Sequence, residues 1–210
     1  MTNNSPIKKV MFAFGTRPEA IKMAPLIKTF QADKDFVTKI CVTAQHREML
    51  DQVLSFFEIK PDYDLNLMKP NQNLYGLTAD IILNLKEVLE EFEPDYVYVH
   101  GDTTTTMATS IAAFYSGSRV RHVEAGLRTF NKKSPFPEEM NRRLISQLAT
   151  YHFCPTLSAK THLINENIHS HTYVTGNTGI DSLLDTINFI ETPPINDQMK
   201  SFYNFIDFSK

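Results

Sequence analysis

Short apolar runs alternate with longer amphipathic stretches along most of this chain. Residues 10–14 (Val-Met-Phe-Ala-Phe) end at Gly15 and read as a strand. A helix is predicted from Pro18, kinked at Pro25, where one intrahelical hydrogen bond is lost. Residues 37–42 form a second apolar run, followed by an amphipathic stretch through Met49, Leu50, Val53, Leu54 and Phe57. A helix over 77–92 stops before Pro94, and 96–99 is the next strand. Residues 103–115 are helical, 120–123 extended, and 140–149 helical with Met140, Leu144 and Leu148 as its apolar stripe. Two further extended runs fall at 151–154 and 172–175.

Strands that alternate with helices of this length imply right-handed crossovers and a mainly parallel sheet. The apolar runs rarely alternate with polar residues, as expected of strands buried on both faces. The predicted fold is therefore α/β: a Rossmann-like open parallel sheet with helices on both faces, whose ligands bind beyond the carboxyl ends of the strands. Gly15, Asp102, Glu124 and Gly176 all fall at such ends. Residues 1–178 make the domain. Residues 179–210, broken at Thr192-Pro193-Pro194, read as a connector helix and a lead-in to a further domain.

Composition narrows the function classes. A formal net charge of −3 with scattered Lys and Arg argues against nucleic acid as a partner. No apolar run approaches the ~20 residues of a membrane span, and residues 1–5 have no apolar signal core, so the cytoplasm is expected. Cys41 and Cys154 read as buried, reduced thiols. The seven histidines show no metal-ligand spacing, and no metal is expected.

The chemistry concentrates in three carboxylates. Asp102 follows an apolar strand and precedes four threonines, so it is either a helix N-cap or a cleft acid. Glu124 lies between Val123 and Ala125, where partial burial would raise its pKa and Arg121 or Arg128 would lower it. Glu138 and Glu139 open a helix after Pro137, and each stands four residues before an arginine, Arg142 or Arg143. That pattern suits a capped helix with two exposed ion pairs equally well. Gly15-Thr16-Arg17-Pro18 opens another helix, whose N-terminus with Arg17 and Lys22 offers either a phosphate site or an ordinary turn. It lacks the glycines of a dinucleotide fingerprint and the Gly-Lys-Ser/Thr of a P-loop. His100 beside Asp102 could be a second donor, though a lone strand histidine is more often a satisfied core residue. In Gly176-Asn177-Thr178-Gly179, Asn177 could reach a sugar or diphosphate.

Six stretches in one order carry a resemblance: Phe14-Gly15-Thr16-Arg17-Pro18-Glu19, Thr43-Ala44-Gln45-His46-Arg47-Glu48, His100-Gly101-Asp102-Thr103, His122-Val123-Glu124-Ala125-Gly126, Pro135-Phe136-Pro137-Glu138-Glu139 and Val174-Thr175-Gly176-Asn177. Together they resemble the non-hydrolysing UDP-N-acetylglucosamine 2-epimerases of bacteria, from about residue 10 to residue 184. The resemblance implies the N-terminal half of a two-domain, GT-B-like architecture, the second domain being absent from this chain. It implies inversion at C2 of UDP-GlcNAc to give UDP-ManNAc for cell-surface polysaccharides, by elimination and re-addition of UDP, with no cofactor. Asp102, Glu124 and Glu138 are then the acid–base residues, and Arg17, Lys22, Arg142 and Asn177 contact substrate. Gln45 and Gln72 fall where an activating second substrate molecule would sit. A homodimer is implied, and little activity without the second half. A GT-B glycosyltransferase and a non-catalytic nucleotide-sugar-binding module are the rival readings.

Overall fold

The computed structural model describes residues 6–43, 47–67 and 72–192. Seven strands form one sheet: β1 (Lys8–Phe14), β2 (Phe36–Val42), β3 (Tyr63–Asp64), β4 (Tyr96–His100), β5 (Arg119–Val123), β6 (Tyr151–Cys154) and β7 (Thr172–Val174). Their order is β3-β2-β1-β4-β5-β6-β7 and every pairing is parallel. The helices between them are α1 (Arg17–Ala32), α2 (Arg47–Phe56), α3 (Leu74–Phe92), α4 (Thr104–Tyr115), α5 (Glu138–Leu148) and α6 (Leu157–Asn165), and α7 (Thr178–Glu191) follows β7. The Rossmann-like prediction holds. The strand order reverses between β1 and β4, and the carboxyl ends of those two strands flank the crevice that such sheets use for ligands.

The two-sided burial follows from β1. Val10, Phe12 and Phe14 pack with α1 and α2, while Met11 and Ala13 pack with α3 and α4, and all five are fully buried. A strand covered on both faces has no polar side to show, which is why these runs do not alternate. Helix α3 starts earlier than its apolar pattern suggests, Asn73 capping it by accepting the Gly76 N–H at 2.9 Å, while α5 begins at Glu138, after Pro137, as the sequence implies.

Helix α1 runs on through Pro25 to Ala32, short of the one intrahelical bond that proline removes. Proline has no N–H for the carbonyl four residues back, and the Ile21 carbonyl instead accepts the hydroxyl of the buried Ser182 from α7. The lost bond becomes a docking point for α7 on α1. One sequence expectation changes: of the α5 stripe, Met140 and Leu144 are each more than a third exposed and only Leu148 is partly buried, so the stripe is not core. The inward positions are Glu139, Asn141, Ile145 and Ser146, because α5 turns polar groups toward the strand ends.

Candidate active site

At the crevice the loop after β1 is squeezed between two other strand ends. A Cβ on Gly15 would collide with Thr43 Oγ1 and stand 2.7 Å from Thr105 Oγ1, so close approach excludes any side chain there. Beyond it, Glu19 is buried in the first turn of α1. Its Oε2 accepts the N–H groups of Gly15 (3.0 Å) and Thr16 (2.8 Å). Its Oε1 accepts hydroxyls from α4's entrance, Thr103 at 2.7 Å and Thr106 at 2.9 Å. One carboxylate thus ties the β1–α1 loop to the β4–α4 loop. In the sequence its only signal is the Thr16-x-x-Glu19 spacing of a capping box.

Glu124 follows β5 with φ +64°, a left-handed conformation that non-glycine residues seldom adopt. Its partner is neither Arg121 nor Arg128, as the sequence suggested, but Lys22 of α1, whose Nζ lies 2.5 Å from Oε1. Arg128 instead pairs with Glu166 at 2.7 Å, and Arg121 lies 3.7 Å over the Tyr96 ring and donates to the Tyr98 hydroxyl. Glu124 is partly buried, as expected, at 17 % side-chain exposure. Its Oε2 stands 3.9 Å from His100 Nε2 at the end of β4.

Asp102 is not the cap of α4. Thr103 takes that position, accepting the Thr106 N–H, which leaves the Asp102 carboxylate to Arg142 (Nη2 at 2.6 Å, Nε at 2.8 Å). Asn141 adds a bond from its side chain to the Asp102 carbonyl at 2.9 Å, so α5 is fastened to the strand end it faces. The expected Glu138–Arg142 pair does not form, because Arg142 is turned to Asp102 and to Glu139 at 3.4 Å. Nor is Glu139 exposed. It is fully buried, accepts the Thr129 N–H at 2.9 Å and the Phe130 N–H at 3.2 Å, and meets Arg143 at 3.3 Å. Burial alone would raise its carboxyl; these N–H groups and arginines outweigh that and hold it below the usual carboxylate range. Glu138, half-buried, opens the helix that carries these groups.

The other candidate residues separate. Arg17 is exposed on α1's first turn. Asn177 is the cap of α7, accepting the Gly179 N–H at 2.9 Å, and Gly179 sits against Lys22, so this loop borders the cluster. Gln72 donates to Asp80 at 3.3 Å at the entrance of α3 and makes no described contact with the acids. Gln45 lies outside the described residues.

Three buried histidines adjoin the site: His100 and His122 on β4 and β5, and His152 opposite His122 on β6. Burial lowers all three, to about 4, about 3 and about 4, and Arg128 further disfavours the charged form of His152. Their folded values lie below the ordinary 6.5, so their contribution is complete above pH 6.5. It is lost as pH falls toward 4, by up to about 1.4 kcal/mol per histidine per pH unit. Urea unfolding is expected to show stability several kcal/mol lower at pH 5 than at pH 7.5. A flat profile over that range would contradict the neutral histidines.

A parallel, doubly wound sheet with acids and cations gathered at its switch point defines a class: a Rossmann-like half of the two-domain GT-B-like architecture. The chain belongs to the UDP-N-acetylglucosamine 2-epimerase family, whose model matches residues 28–206. It is 57 % identical over 199 residues to the UDP-N-acetylglucosamine 2-epimerase of Neisseria meningitidis, a match covering 94 % of this chain and 54 % of that one. A solved structure of a Neisseria meningitidis UDP-GlcNAc 2-epimerase bound to UDP-GlcNAc superposes with a TM-score of 0.90 at 56 % identity, over 95 % of this chain and 54 % of that one. The Methanocaldococcus jannaschii enzyme, in complex with UDP-GlcNAc and UDP, gives 0.85 at 32 % identity, over 94 % and 54 %. This chain therefore spans about half the length of the relatives it matches. Among the described residues, no helix is long and apolar enough to cross a membrane.

Proposed function

We propose that this chain forms one wall of the active site of an enzyme that interconverts UDP-GlcNAc and UDP-ManNAc for cell-surface polysaccharide precursors. One observation carries the reading. Asp102 and Glu124 end adjacent strands at the switch point, and each is gripped by a cation from a different helix, Arg142 of α5 and Lys22 of α1. Inversion at C2 needs one group to remove the C2 proton and another to return a proton on the opposite face. Carboxylates on separate elements can flank one sugar ring. As the C2–H electrons form the C1=C2 bond, the C1–O bond breaks and UDP leaves; protonation at C2 and re-addition at C1 reverse the step. Atoms and electrons balance without an oxidant. Glu138 is the third acid candidate. The α1 N-terminus with Arg17 and Lys22 favours the departing diphosphate, and Arg142 and Asn177 border the sugar. Gln45 and Gln72 remain candidates for a regulatory substrate molecule.

In this reading residues 1–178 are the first domain, and residues 179–210 lead into a second that closes the cleft. A cytoplasmic location fits two buried free thiols, which burial raises to about 12 (Cys41) and about 11 (Cys154). A homodimer fits the apolar side chains that α3 and α4 leave outside: Tyr75, Leu83, Phe114 and Tyr115 are each more than half exposed. The test is a two-domain chimera with this chain as its first half and the corresponding second half from the Neisseria meningitidis relative. It is expected to make UDP-ManNAc from UDP-GlcNAc with no acceptor present, and the chain alone to make little. Sugar transfer to an acceptor without C2 inversion would favour a glycosyltransferase, and tight binding with no turnover a non-catalytic module.

A further inference from the structure

One buried group beside the acids has no part in the reaction as written. His100 is 4 % exposed, and its Nε2 has no hydrogen-bond partner among the described residues. The neighbouring His122 differs, since its Nε2 lies 2.7 Å from the Gly101 carbonyl. A buried polar nitrogen left unpaired is costly, and the carboxylate it faces, Glu124 Oε2, is 3.9 Å away, beyond hydrogen-bond reach. That carboxylate is held off on its other oxygen by Lys22 of α1, whose side chain is 28 % exposed. An anionic diphosphate arriving there competes for Lys22.

We propose that His100 is a positioning residue for Glu124, closing on its carboxylate when Lys22 is drawn to the substrate's diphosphate. The proposal rests on Glu124 being a proton-transferring residue. With Lys22 attached, the Glu124 carboxylate is ion-paired. With Lys22 gone, its charge is half-buried and unpaired, and a neutral Nε2–H orients it without neutralising it. Neutrality follows from the surroundings of His100. Burial, the largest influence, opposes its charging whether or not Lys22 of α1 stays near, and outweighs Glu19 of α1, Asp102 of the following loop and its own backbone carbonyl, which favour the charge; His122 of β5 is also neutral.

Two measurements decide it. In this chain, nitrogen-15 NMR of the imidazoles at pH 7.5 is expected to show His100 protonated on Nε2. Lys22→Met, which frees Glu124, is expected to move that resonance toward a hydrogen-bonded value, and the Lys22→Met, Glu124→Gln double variant to reverse the movement. A proton on Nδ1, or a resonance indifferent to Lys22→Met, overturns the proposal. In the chimera, His100→Phe is expected to lower kcat about 10–100-fold, the worth of one hydrogen bond to a charged group, with KM changed less than about threefold. His100→Gln, whose amide N–H reaches the Nε2 position, is expected to recover most of the loss. An unchanged kcat, or Gln no better than Phe, overturns the proposal. If Glu124→Gln itself keeps full activity, the parent reading fails as well; if it is inactive while His100→Phe is not, only the positioning role fails.

Discussion

Glu19→Ala is expected to destabilise this chain by at least about 3 kcal/mol, read as a lower urea midpoint at an unchanged slope. The carboxylate accepts four hydrogen bonds, two from backbone N–H groups of the β1–α1 loop and two from threonine hydroxyls at α4. Each buried donor left without an acceptor costs about 1–3 kcal/mol, and neither loop can turn its donors to water without opening the crowded contact at Gly15. Glu19→Gln is expected to cost less, about 1–2 kcal/mol. Its oxygen can stay on the Gly15 and Thr16 N–H groups while its amide nitrogen donates to Thr106 Oγ1, whose single hydrogen then turns wholly to the His100 carbonyl, 2.6 Å away. A loss below about 1 kcal/mol for alanine would mean that Glu19 does not bind the loops together.

The second large effect is on turnover. Glu124→Gln in the two-domain chimera is expected to lower kcat by about 10²–10⁴, the range for removing a general acid or base. KM should change little, and exchange of the C2 hydrogen with deuterated solvent should fall with kcat. Stability should move less than about 1 kcal/mol, because the Lys22 pair is partly solvated and screened. A folded variant that still exchanges C2 hydrogen at the parent rate would remove Glu124 from the chemistry.

The elements of the fold were legible because both-face burial leaves a direct signature. The runs at 10–14, 37–42 and 96–99 are apolar at successive positions, and only a strand between two helical layers tolerates that. Element ends were less legible, because caps decide them. Asn73 starts α3 a turn before its apolar face begins, and Thr103 rather than Asp102 starts α4. The stripe on α5 misled because apolar periodicity assumes that a helix buries its hydrophobic face. Here the buried face is Glu139, Asn141, Ile145 and Ser146, since Glu139 accepts the Thr129 and Phe130 N–H groups and Asn141 donates to the Asp102 carbonyl.

By itself the sequence determined the parallel sheet, the acids and cations placed at strand and helix ends, and the family, because these depend on local periodicity and on motifs in linear order. Only the tertiary structure decided the partners. Lys22 reaches Glu124 across 102 positions and Arg142 reaches Asp102 across 40, while Glu19 and Glu139 prove to be buried locks and His100 an unpartnered neighbour of the acid. Charge pairing depends on which side chains converge once strands are ordered 3-2-1-4-5-6-7. That order arises from packing helices on both faces of the sheet, and no spacing along the chain encodes the resulting distances.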